Sequence, residues 1–277
     1  MKKEWNSNVA LLWTKMVGPT RPTISELYIY TKYVHELQKR LNRRLDILIL
    51  GSTPEFRDWA FEENMKVTVI DDSSDYHNKI SRELRHKCII EGDCEKERVI
   101  IKRWEDMDFC DEFDIIIGDH AIGNIEPDKL ERFIKNVQNA LRTGGLLLGK
   151  NFLVPSEYKV NNPEKLIEDY YCKKSYCHPF SFLIFDLAMY CMDENNMLDF
   201  KVLYNELLKL KEKDLITNET MKYFEGIGWD TEMKFKFHIP TIVNYENLIK
   251  KYLNIKNVEY GIDIYSEKFP LYIIEKF

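Results

Sequence analysis

Asp71 and Asp72 close a β-branched run, and Asp71 stands 20 residues after Gly51, which closes an earlier apolar run. At the end of the second strand of a βαβ unit, an acid at that spacing can accept both hydroxyls of a ribose. Trp104 and Glu105 follow a third apolar run, and Asp119 and His120 follow a fourth. With Gly51, Asp71, Trp104 and Asp119 at one strand end each, these positions converge where a ligand of such a sheet sits. His120 has a reference pKa near neutrality and could take a proton from an attacking group. A histidine merely hydrogen-bonded at a strand end is the equal alternative.

The elements that must position these residues are legible around them. Leu45 to Leu50 is an almost unbroken apolar run, as in a strand buried on both faces. After Gly51, Thr53 can cap a helix, Pro54 fits its first position, and Glu55 favours the positive end of its dipole. Phe56, Trp59 and Ala60 cover one face of that helix, and Val67 to Ile70 gives the next strand. A dinucleotide pyrophosphate needs the close backbone approach of G-x-G-x-x-G, yet only Gly51 is present, followed by Ser52, Thr53 and Pro54. The unit therefore suits a nucleoside cofactor lacking a pyrophosphate, which points to S-adenosylmethionine (SAM). An ordinary βαβ crossover would share the glycine turn; the acid at the next strand end favours a site.

The rest of the chain repeats this alternation. Thr23 and Glu26 read as a capping box, and Ile24, Leu27, Tyr28, Thr31, Val34 and Leu41 predict a helix with one face on a sheet. Tyr76 to Lys87 predicts a helix, Arg98 to Lys102 a third strand, and Phe113 to Gly118 a fourth. Pro127 to Leu141 predicts another helix, stopped by Thr143-Gly144-Gly145, with a fifth strand over Leu146 to Gly149. Strands alternating with helices imply a parallel, doubly wound sheet whose ligand lies beyond the strands' carboxyl ends. Residues 151–240 read as a helical insertion holding an aromatic run, CHPFSFLIFDLAMYCM. Thr241 to Leu253 predicts a last helix, and the tail VEYGIDIYSEKFPLYIIEKF a hairpin. The domain reading is an N-terminal arm over 1–22, a cofactor domain over 23–150 and 241–277, and a lid or acceptor pocket over 151–240. Phe180, Phe182, Phe185 and Tyr190, with Trp5 and Trp13 of the arm, would line that pocket beside His120.

Composition narrows the partners. A chain 44% hydrophobic and 31% charged can bury a full core. Its net charge of −6 is wrong for a long nucleic-acid footprint, so none is expected. Arg40, Arg43 and Arg44 form one compact basic cluster, read as a solvated helix end. Six cysteines lack C-x-x-C spacing; Cys172, Cys177 and His178 have no second ligand pair, so no metal is expected. No signal-peptide core and no membrane-length apolar run are present, and reduced cysteines suit a cytoplasmic protein.

At these motifs the chain resembles the class I SAM-dependent methyltransferases. LDILILGSTPEFRD is similar to the family's first motif, VTVIDDSSDY to the second, FDIIIGDHAIGNI to the fourth and ALRTGGLLLGK to the fifth. RPTISELYIY and the Gly-x-Thr-Pro-Glu-x-Arg-Asp turn resemble a bacterial and archaeal small-methyltransferase subgroup. The resemblance implies a mostly parallel, Rossmann-like, seven-stranded sheet with an antiparallel C-terminal hairpin. It also implies that Gly51, Ser52 and Thr53 line the methionine end of SAM and that Asp71 binds the ribose hydroxyls. Asp72 and Tyr76 would lie beside ribose and adenine, Trp104 and Glu105 would flank the adenine, and Asp119 and His120 would face the transferred methyl. The family's first motif is usually richer in glycine, and Arg103 stands where an acid is frequent. Transfer to a small-molecule acceptor is the leading expectation. A catalytically silent SAM-binding protein and, less favoured by the missing glycines, a nucleotide-cofactor oxidoreductase are the alternatives.

Overall fold

The computed structural model describes residues 10, 13, 16, 18, 20–88, 97–155, 162–173, 179–226, 230–231, 236–263 and 266–277. Its centre is a seven-stranded sheet of β1 (Asp46–Leu50), β2 (Lys66–Asp71), β3 (Arg98–Ile101), β4 (Phe113–Asp119), β5 (Leu141–Lys150), β8 (Asn254–Glu259) and β9 (Leu271–Glu275). The order is β3-β2-β1-β4-β5-β9-β8. The first five strands are parallel; β9 runs antiparallel to β5, and β8 antiparallel to β9. The expected doubly wound sheet and C-terminal hairpin are thus present. The fifth strand starts at Leu141, ahead of the predicted Leu146, because the glycine pair lets the chain stay paired through an irregular register.

Side-chain alternation splits the core into two layers. Ile47, Ile49, Ile115 and Ile117 point to one face, with α1 (Ile24–Leu41) and α2 (Pro54–Glu62). Leu48, Leu50 and Ile116 point to the other, with α4 (Leu130–Ala140) and α9 (Ile242–Lys250). Period-2 strands covered on both sides account for the near-continuous apolar runs. The crossover after β2 is α3 (Ser74–Ile80) followed by a 3₁₀ turn over Ser81–Glu83, shorter than predicted.

The capping box of α1 forms as expected, but the helix presents a different stripe. Glu26, Tyr30, Tyr33, Val34 and Leu37 turn inward, while Ile24 and Tyr28 remain 87% and 79% exposed. The reason is an ion pair: Glu26 meets the buried Lys150 and sets the phase of the helix. Past its end, Arg43 forks onto Asp114 at 2.8 and 2.6 Å, and Arg44 donates to the carbonyls of Asn64 and Met65. The basic cluster, expected to be simply solvated, therefore ties the helix exit to the sheet's lower edge.

Residues 151–240 carry α5 (Pro163–Lys173), α6 (Pro179–Cys191), α7 (Phe200–Glu212) and α8 (Asn218–Gly226). They also hold a two-stranded antiparallel ribbon, β6 (Met197–Asp199) with β7 (Lys236–His238), which the helical reading did not include. Three-residue strands are too short for an alternation signal to emerge. The segment has its own core, in which Leu203, Leu207, Phe224 and Ile239 pack with Phe185, Phe152 and Phe269.

Candidate active site

Strand register lines the chemistry up. Leu50 pairs with Ile70 on one side and Gly118 on the other, so Asp71, Gly51 and Asp119 leave the sheet at one level. Lys150 pairs with Asp119 and extends that row across β5.

Gly51 has φ +83°, which favours glycine, and its N–H donates to Ile70 O at 2.8 Å. Trp104 lies against this turn: a Cβ on Gly51 would sit 3.2 Å from its ring, and its indole N–H donates to Ile70 O at 2.9 Å. Thr53 occupies the cap position of α2 without a side-chain cap bond, contrary to expectation. Pro54 at the first position removes one backbone N–H that would otherwise be orphaned there.

Asp71 is buried, and Ser52 Oγ donates to its Oδ2 at 2.6 Å while the Ser73 N–H donates to Oδ1 at 3.0 Å. Burial pushes this carboxyl above its ordinary value, against the pull of those two bonds. Behind Ser52 stands His77, its Nδ1 2.9 Å from Oγ. Tyr76 is buried in a small cluster with Ala10, Trp13 and Ile80, so the arm touches α3 beside the acid. Asp72 is exposed and within the field of Arg103. Glu105 is buried, but its Oε1 faces Arg103 Nε at 2.9 Å and Lys129 Nζ at 3.7 Å.

At the β4 end, Lys150 is 1% exposed and donates to Glu26 Oε2 at 2.9 Å and Arg21 O at 3.1 Å; Asp119 Oδ1 lies 3.3 Å away. Burial pushes Asp119 up to about 7 despite the attraction of Lys150. His120, at φ +48°, places Nε2 3.7 Å from Asp119 Oδ1 and its ring edge-on to Phe269 at 5.4 Å. Phe152 and Phe185 pack on the same Phe269 ring. Nearby, Glu55 accepts from Arg21 and, at 3.3 Å, from the Trp13 indole.

Ser52 and Asp71 are thus in contact, Trp104 seats on Gly51, and Asp119 adjoins His120. Glu105 instead faces two cations, and Tyr190 is 40% exposed. Trp5, Cys177, His178 and the side chains of Phe180 and Phe182 lie outside the described residues. Sequence reasoning missed Lys150, Glu26 as an ion partner, and His77. A lysine ending the run LLLGK was the available signal for the first; the others had none, since their partners are distant in sequence.

Sheet order and register define a Rossmann-like α/β domain with an antiparallel C-terminal strand pair. No protein-family model matches the sequence, and no curated protein matches it. Among solved structures, a SAM-dependent methyltransferase from Clostridium acetobutylicum superposes with TM-score 0.56 at 12% identity, over 96% of this chain and 97% of that one. The N-methyltransferase NodS from Bradyrhizobium japonicum, solved with S-adenosylhomocysteine (SAH), gives 0.50 at 10% identity over 98% and 99%. A Rhodobacter sphaeroides protein whose assignment as a Zn-dependent alcohol dehydrogenase is itself provisional gives 0.56 at 14% identity over 99% of both chains. At these identities the likeness is one of fold.

Proposed function

We propose that this chain is a SAM-dependent methyltransferase acting on a small-molecule acceptor. The observation that carries the reading is Asp71: a buried carboxylate at the β2 end, level with the Gly51 turn, held by a hydroxyl and a backbone N–H. An ionised carboxylate offers about four acceptor sites. The Ser52 hydroxyl and the Ser73 N–H use two and the Ser52 N–H draws on a third, which leaves capacity for a ribose hydroxyl. The single-glycine turn suits a nucleoside without a pyrophosphate. Gly51, Ser52 and Thr53 would face its amino-acid end, with Tyr76 and Trp104 as apolar neighbours. SAM, when bound, supplies an electrophilic methyl on a sulfonium; the chain's contribution is then to position an acceptor and exclude water.

Asp119 and His120 are the groups placed to receive a proton should the acceptor need to lose one. Phe269 packs edge-on against His120, with Phe152 and Phe185 in the buried core behind it, and the insertion that supplies Phe185 is read as the acceptor's cover. A net charge of −6 speaks against a phosphate backbone as acceptor. Among the described residues no three His, Cys, Asp or Glu side chains gather as a metal site. No helix among them is long and apolar enough to cross a membrane.

Calorimetric titration tests the reading. SAH is expected to bind, NAD is not, and Asp71→Ala should weaken SAH by roughly 1–3 kcal/mol through loss of a charged acceptor. Binding of NAD in place of SAH, or unchanged SAH affinity in the variant, would reject it.

A further inference from the structure

The hydrogens around Ser52 can be counted. Ser52, Asp71 and His77 are all buried, at 1%, 4% and 7% exposure, so water has little part in their bonding. A serine hydroxyl carries one proton, and Ser52 Oγ stands 2.6 Å from an Asp71 oxygen and 2.9 Å from His77 Nδ1. An ionised Asp71 only accepts, so the hydroxyl proton goes to it. Oγ must then accept from His77, which requires a proton on Nδ1.

Glu97 faces the other side of the imidazole. Nε2 is 3.6 Å from Glu97 Oε1, too far for a good hydrogen bond. Glu97 is already gripped by the fully buried Arg57, whose Nε donates at 2.9 Å and whose Nη2 donates to Oε1. Arg57 Nη1 donates to Ser81 Oγ at 2.8 Å, and Ser81 Oγ donates to His77 O at 2.6 Å, fixing the helix that carries the ring. The charged groups around His77 are therefore Asp71 from β2, Arg57 from α2 and Glu97 ahead of β3.

We propose that His77 and Ser52 are positioning residues for Asp71: His77 Nδ1–H donates to Ser52 Oγ, whose O–H donates to Asp71 Oδ2. With the Ser73 N–H on Oδ1, this one-way chain fixes both carboxylate oxygens and leaves Asp71 accepting capacity for a hydroxyl of the nucleoside. Neither residue needs to touch the reacting atoms. The inference rests on the cofactor reading above, but the tautomer can be tested without a cofactor.

Nitrogen-15 NMR of histidine-labelled protein at pH 8 is expected to show His77 protonated on Nδ1 and bare on Nε2. A bare Nδ1 would overturn the chain, since the serine would then point the other way. SAH titration supplies the second arm. Ser52→Ala and His77→Leu should each weaken binding roughly tenfold, the scale of a lost hydrogen bond to a charged group. The double variant should be no weaker than either single one, because both break the same chain. His77→Asn, which keeps an N–H donor near the Nδ1 position, should restore affinity to within about threefold. Full affinity in His77→Leu, or losses that multiply in the double variant, would overturn the proposal. Should the wild type bind no SAH, the cofactor reading falls while the tautomer still decides the chain.

Discussion

Lys150 shows how one residue can set the character of a site. Its ammonium is buried between the carboxyl groups of Glu26 and Asp119, so two acids share one positive charge away from water. Removing the cation would leave both acids buried without compensation. Lys150→Met is expected to cost roughly 3–5 kcal/mol in denaturant unfolding, the range for breaking a buried pair. A cost below about 1 kcal/mol would mean that the acids find water instead. Asp119 adds a pH dependence of defined sign. Held near 7 in the fold against 3.8 in the open chain, it binds its proton more tightly when folded. That favours the fold at low pH, and the advantage is lost as pH rises from about 4 through about 7. Asp119→Asn should flatten this slope, so that wild type loses roughly 1–3 kcal/mol relative to the variant between pH 4.5 and 8. Parallel stability curves would exclude the buried titration.

Between elements, the contact that matters is where the insertion meets the end of β4. A Cβ on Gly123, in the 3₁₀ turn just beyond His120, would lie 1.8 Å from Phe237 Cζ and 2.1 Å from Cε1. Only glycine lets the β7 ring come this close, so the ribbon is keyed to the turn that carries His120. Gly123→Ala should destabilise by roughly 1–3 kcal/mol through overpacking, and Phe237→Ala in the same chain should recover part of the loss. Lack of any rescue would place the cost in the turn's backbone instead. Val154, just past β5, bridges Thr241 at the start of α9, so both ends of the insertion leave from one place on the sheet.

For the whole molecule, the question is what covers the carboxyl edge. Trp13 is 6% exposed, packs with Tyr76 and Ile80, and shares Glu55 with Arg21. The arm is thereby joined to α2 and α3, the two helices that follow the first two strand ends. If it is an integral part of the domain, Trp13→Ala should cost roughly 2–4 kcal/mol in global unfolding, as for a buried aromatic. A cost near zero would describe a detachable flap. The insertion packs near the other end of the same edge, with Phe237 against Gly123 and Phe185 on the Phe269 ring. Between them lies the row from Asp71 to Lys150 that the proposed function uses.

Local pattern was enough for the sheet, its two covered faces and the acids at its strand ends. Period 2, apolar runs and glycine turns act over a few residues, and a βαβ repeat leaves few ways to connect them. It also singled out Gly51, Asp71, Trp104 and Asp119, because strand termini are visible in sequence. The phase of α1, the seating of Trp104 on Gly51 and the turning of Glu105 towards Arg103 and Lys129 were decided only by tertiary structure. So were the burial of Lys150 and the placing of His77 behind Ser52. Apart from Glu105 with Arg103, these are electrostatic or hydrogen-bond pairings between residues far apart in the chain, worth more inside the protein than the local preferences opposing them. Glu26 is the clearest instance: at the N3 position of a capping box it is a local signal, and as the partner of Lys150, 124 positions away, it draws that face of the helix inward.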